Sequence, residues 1–112
     1  MIHSFREQVE SVVVLLVTGD YEELEGLTGG VRLTASDISN AIRQYGRSLV
    51  YPPASAYNAI DTVLVMGSTP PQWSVQMQLW TAEEGASDLT LEMTLIQTEK
   101  GYQIELDDLH VL

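Results

Sequence analysis

From Phe5 onward, apolar residues return every three or four positions, at Phe5, Val9, Val12, Val13 and Leu16. That spacing predicts an amphipathic helix. Ser4 and Glu7 stand in the capping-box relation at its start, and Gly19 is a natural stop. The β-branched run Val12-Val13-Val14 taken alone reads as strand, but the cap and the spacing decide for helix. Val14, Leu15 and Val17 widen the apolar stripe, so the helix is expected to be buried on most sides. A short second helix follows behind Asp20, from Tyr21 to Leu27, with Leu24 and Leu27 inward and Glu22, Glu23 and Glu25 outward. Its acids sit in the first turns, where the helix dipole favours them. Gly29-Gly30 breaks the chain. Thr34, with Asp37 three residues on as a capping partner, opens a third helix whose inner face is Ile38, Ala41, Ile42 and Tyr45. Arg43 in its last turn and Gly46 just beyond both suit its end.

The pattern changes at Tyr51-Pro52-Pro53, which ends any helix and opens a loop. Ile60 to Met66 is apolar on both faces, the pattern of a covered strand. Beyond the turn Gly67 to Pro71, the period becomes two. Trp73, Val75, Met77 and Leu79 alternate with polar residues, as do Leu89, Leu91, Met93 and Leu95, then Tyr102, Ile104 and Leu106. Such strands, separated by turns, predict an antiparallel meander with one polar face. For Leu95 and Met93 to share a face with Ile104 and Leu106, the last hairpin needs a four-residue loop, Thr98 to Gly101. It then pairs Gln97 with Tyr102 and Leu95 with Ile104. Near the end the apolar phase shifts from Ile104 and Leu106 to Leu109 and Val111, which a bulge near Asp107-Asp108 would produce. The reading is an α+β domain, N-terminal helices packed on a curved antiparallel sheet.

With 112 residues and 45% apolar content, the chain is sized for one domain over 1–112 with its own core. It has no cysteine, which excludes a disulfide framework and a thiolate metal site. Met1 to Glu10 is too polar for a signal peptide and Val12 to Val17 too short for a membrane span, so a cytoplasmic location is expected. Sixteen acidic against five basic residues give a formal net charge of −11. That disfavours nucleic acid and anionic membrane as partners. It suits solubility, and it suits steering toward a cationic partner.

Catalytic signals are sparse. His3 lies at the N-terminus, and His110 on the last strand beside Asp107 and Asp108 is either a general base or an edge-strand polar residue. On a regular strand Asp107 and Asp108 point to opposite faces and share no metal unless the bulge realigns them. Glu83, Glu84 and Asp88 surround Gly85 without the spacing of a dedicated calcium loop, and read as a solvated hairpin tip. Gly29-Gly30 is outside any phosphate-loop pattern, and no serine sits in a nucleophile elbow. The expectation is therefore a non-enzyme without metal or cofactor. Trp73 reads as core and Trp80 as a residue of the polar face beside Gln76 and Gln78, where aromatic side chains anchor interfaces. Tyr51 and Tyr57, flanking the proline loop, are anchors of the same kind.

The stretches Leu15 to Leu24 and Thr34 to Gly46, with the closing strand Tyr102 to Val111, resemble the cone-shaped nuclear-transport-factor-2-like fold. Within that fold, small acidic members without catalytic residues look like bacterial immunity proteins of contact-dependent and other toxin systems. The resemblance implies a cytoplasmic inhibitor that blocks the basic cleft of a cognate toxin, a nuclease or ribonuclease, with carboxylates in place of phosphates. It also admits a small-molecule-binding or isomerase-like cone, with Asp61 and His110 as its residues. A homodimer through the polar sheet face is the third reading. For a basic partner three carboxylate clusters compete: Glu22, Glu23 and Glu25; Glu83, Glu84 and Asp88; and Glu92, Glu105 and Asp107 near Trp80. The sheet face is preferred, because rigid strands present charge at low ordering cost.

Overall fold

Three helices lead into five strands: α1 (Arg6–Thr18), α2 (Tyr21–Thr28), α3 (Ala35–Tyr45), β1 (Leu49–Val50), a 3-10 helix (Ala54–Ala59), β2 (Asp61–Leu64), β3 (Gln72–Thr81), β4 (Gly85–Thr98) and β5 (Gly101–Val111). The computed structural model describes residues 5–111. The strands form one curved antiparallel sheet in which β3, β4 and β5 are the expected meander. Both β1 and β2 pair with the other side of β3, β1 at Trp80–Thr81 and β2 at Trp73–Gln76.

The core lies between the helices and the inner sheet face. Val9, Val12, Val13 and Leu16 of α1, Leu24 of α2 and Ile38 of α3 are buried against Trp73, Val75, Met77, Leu91, Met93, Leu95, Ile104 and Leu106. Phe5 closes one end, its ring 5.3 Å from that of Trp73 and 5.2 Å from that of Tyr102. Ile42 packs on this core half-buried.

Local chemistry fixes the helix ends. Thr34 caps α3 with a reciprocal capping box: its hydroxyl accepts from Asp37 N, while its own N–H donates to the Asp37 carboxylate. The Thr34 backbone N–H first, and then the Thr34 side chain, stabilise the ionised acid and hold the Asp37 carboxyl below its ordinary range. The Ser4 half of the expected cap on α1 lies outside the described residues, and α1 starts at Arg6 with Phe5 at the N-cap position. Asp20 precedes α2 but makes no side-chain cap, because its carboxylate accepts from the Thr18 hydroxyl instead.

Three expectations are corrected. The segment Ile60 to Met66 is not covered: only Asp61–Leu64 is strand, it forms an edge, and all four residues are exposed, Val63 at 63%. A run apolar on both faces suits a covered strand, but this one is short and the helices do not reach it. Leu27 is 43% exposed rather than inward, since an eight-residue helix turns only Leu24 and Thr28 to the core. Val14 is also exposed, so α1 is open along one side.

Candidate functional site

The β4–β5 ladder carries the acidic face. Its register pairs Gln97 with Tyr102 and Leu95 with Ile104, as the hairpin argument requires, but Thr98 and Gly101 pair as well, so the loop is the two residues Glu99 and Lys100 rather than the expected four. The register continues to Met93↔Leu106, then shifts so that Glu92 faces Asp108 and Thr90 faces His110. Asp107 is the extra residue of a bulge, at the place the phase shift indicates. Its consequence is chemical. In an unbroken ladder Asp108 would sit opposite Leu91 and His110 opposite Leu89, on the core face. The bulge instead turns Leu109 inward and keeps Asp107, Asp108 and His110 outward with Glu92 and Glu105.

Each carboxylate on this face has a distinct setting. Asp107 accepts from the Thr94 hydroxyl at 2.6 Å and stands 3.8 Å from Arg32 of the α2–α3 loop, with only 17% of its side chain exposed. Asp108 accepts from the Leu109 N–H at 2.9 Å. Glu105 makes no hydrogen bond or ion pair among the described residues. Glu92 and Asp108 both approach the His110 imidazole, Nδ1 lying 3.7 Å from Glu92 Oε2 and 3.3 Å from Asp108 Oδ2. That nitrogen is shielded from solvent and makes no hydrogen bond. Asp108 and His110 thus join the face, Asp108 having been absent from the expected site. The sequence signal for both was the apolar phase shift.

The other clusters are partly absorbed into the fold. Tyr45 of α3 donates its phenol to both Glu84 carboxylate oxygens, at 2.8 and 3.0 Å, and the Thr81 hydroxyl donates to one of them. The Ser48 N–H and hydroxyl donate to Glu83. The Ser48 N–H chiefly, then the residue's own N–H, the Ser48 hydroxyl and the Arg47 charge, lower the Glu83 carboxyl below its ordinary range. The tip is an exposed hairpin turn, as expected, and it is also tied to α3 and β1, with Gly85, at φ 73°, supplying the left-handed residue that closes its three-residue loop. Asp88 remains exposed. Glu25 accepts from Ala35 N at 2.6 Å, at the first turn of α3, whereas Glu22 and Glu23 stay exposed.

Trp80 lies on the outer face as expected, lining a pocket of about 300 Å³ with Asp61, Gln76, Gln78, Thr90 and Ala59. Asp61 is thus outside the fold rather than in a cone interior. It is on β2 and His110 on β5, with β3 and β4 between them, so the pair does not converge. Tyr57 is buried and Tyr51 exposed. Arg6 stacks 4.9 Å above the Tyr57 ring. Burial raises the Tyr57 phenol pKa, Glu10 adds to the rise and Arg6 opposes it. A larger open groove of about 860 Å³ runs along the exposed side of α1, lined by Arg6, Glu10, Val14, Glu23 and Leu27.

Residues 13–112 match the family described as a domain of unknown function, DUF7668. The chain belongs to that family. The match begins within α1 and takes in the bulge and every carboxylate of the sheet face. Neither the curated proteins nor the solved structures contain a match to this chain. Among the described residues no helix is long and apolar enough to cross a membrane.

Proposed function

We propose that this DUF7668 chain is an immunity-type inhibitor that binds a basic toxin domain, a nuclease or ribonuclease, in the cytoplasm. The observation that carries the proposal is the outer face of β4–β5. Strand alternation sets Glu92, Glu105 and Asp107 on one rigid surface and the bulge adds Asp108, with Arg32 as the facing arginine at 3.8 Å from Asp107. The −11 net charge supports the same reading. A nuclease cleft is cationic because it holds phosphates, and carboxylates at fixed positions occupy it without being cleaved. Such a field raises encounter rates, while close pairs slow dissociation. Among the competing clusters, Glu83, Glu84 and Glu25 accept hydrogen bonds from other elements of the fold, as Asp107 does from Thr94, whereas Glu92 and Glu105 of the sheet face accept none among the described residues and stay available to a partner. Trp80, on the outer face of the neighbouring strand, is the aromatic anchor of this reading.

The test is inhibition. Candidate basic nuclease domains taken from the genes flanking this chain's own are assayed for RNA and DNA cleavage with increasing amounts of the purified chain. Stoichiometric inhibition that Glu105→Lys weakens is expected. A nuclease that keeps full activity at saturating chain contradicts the proposal.

A further inference from the structure

We infer that Glu92, Asp108 and His110 form a binding site for a divalent transition-metal ion of the Zn²⁺ type. One imidazole nitrogen and two carboxylate oxygens, one from each residue, lie within 4.8 Å of one another. The set is a mixed nitrogen and oxygen donor set. Zinc accepts both donor types, whereas magnesium and calcium sites are built from oxygen. Zinc bonds to nitrogen and oxygen of about 2.0–2.2 Å put tetrahedral ligands roughly 3.4 Å apart. The observed separations from His110 Nδ1, 3.3 Å to Asp108 and 3.7 Å to Glu92, bracket that spacing.

A second observation points to a ligand. His110 Nδ1 is closed off from solvent, lies beside both carboxylates and has no hydrogen-bond partner. A buried polar atom without a partner costs free energy. A metal bound by Nδ1 would satisfy it and neutralise the two carboxylates together. The arginine near this end of β5 is engaged with Asp107, not with the triad. The position is held by backbone geometry: Glu92 and Asp108 are direct cross-strand partners and His110 is two residues along the same face, all placed by the Asp107 bulge. Three protein ligands leave a coordination position open to water or to a group from another molecule.

The site stands independently of the toxin-binding proposal, because its test needs no partner. Untagged full-length chain is stripped with a chelator and titrated with Zn²⁺ by calorimetry, and with Co²⁺ by visible absorption. One ion per chain, a Co²⁺ spectrum in the range of tetrahedral or five-coordinate sites, and a rise in Tm are expected. His110→Ala, Asp108→Asn and Glu92→Gln should each weaken Zn²⁺ binding by more than the ~10–100-fold that losing a supporting partner costs. His3→Ala and Glu99→Gln, outside the triad, should bind as the parent does. Circular dichroism checks that each variant is folded. Absence of Zn²⁺ binding by the folded parent, or binding unchanged in all three triad variants, overturns the assignment.

Discussion

Single residues hold this molecule through two kinds of contact, packed methyl groups and ionised acids with local donors. Met93 and Leu106 face each other across the β4–β5 ladder and are almost wholly buried. Truncating either to Ala should cost about 2–5 kcal/mol in urea unfolding, because the cavity cannot collapse between paired strands. Asp37 and Glu83 both have carboxyl pKa values below their ordinary values of 3.8 and 4.5. Depressed acids bind protons more weakly folded than unfolded. Their contribution is present above the ordinary values and is lost as pH falls through the folded ones. Asp37→Asn should therefore be less stable than the parent at neutral pH, and the gap should narrow as pH falls below the ordinary value of 3.8 and through the lowered folded one. A gap that stays constant between pH 7 and pH 3 would show that the charge plays no part. The α3 cap was legible because Thr34 and Asp37 stand at capping-box spacing. The roles of Glu83, Glu84 and Glu25 were not, because their donors Ser48, Tyr45 and Ala35 are ten or more residues away in sequence.

Among the elements, those whose periodicity is strong were readable and those decided by neighbours were not. The meander, the register of its last hairpin and the Asp107 bulge follow from the requirement that Leu95, Met93, Ile104, Leu106 and Leu109 share one face. The two-residue strand β1 and the 3-10 helix carry no such signal, because a proline-rich connection has no period to read. Ile60 to Met66 was misread because apolar composition says nothing about whether helices reach a strand. Two experiments probe these assignments. Val63→Lys should change stability by no more than about 0.5 kcal/mol, as for other exposed positions, whereas a covered strand would lose several times that. Deleting Asp107 should leave a folded protein, since it restores unbroken alternation from Leu106 to Leu109. Deleting Glu105 should not, because it turns Leu106 outward and Asp107 toward the core. If the two deletions unfold alike in urea, the bulge is not where the ladder places it.

At the scale of the whole molecule, sixteen acids and five bases create a negative field that is strongest where carboxylates lack internal donors. The fold leaves Glu92 and Glu105 on the outer face of β4–β5 and Glu22 and Glu23 on α2 as such acids, and the sheet presents the more rigid set. The presence of an acidic face was legible from the alternation of Glu92 and Glu105 with core residues. Its extension to Asp108 depended on the bulge. The central claim is that this face docks a cationic protein. The most direct measurement is a kinetic titration of candidate basic nuclease domains taken from the genes flanking this chain's own, at low and at high salt, for the parent, for Glu105→Lys with Asp107→Asn, and for Glu22→Lys with Glu23→Lys. Asp107→Asn removes the charge while keeping an acceptor for Thr94. The account predicts an association rate that falls as salt rises, and a loss of a few kcal/mol in affinity for the sheet-face pair. The α2 pair should change the rate alone. Binding that ignores salt, or full affinity in the sheet-face variant, would contradict it.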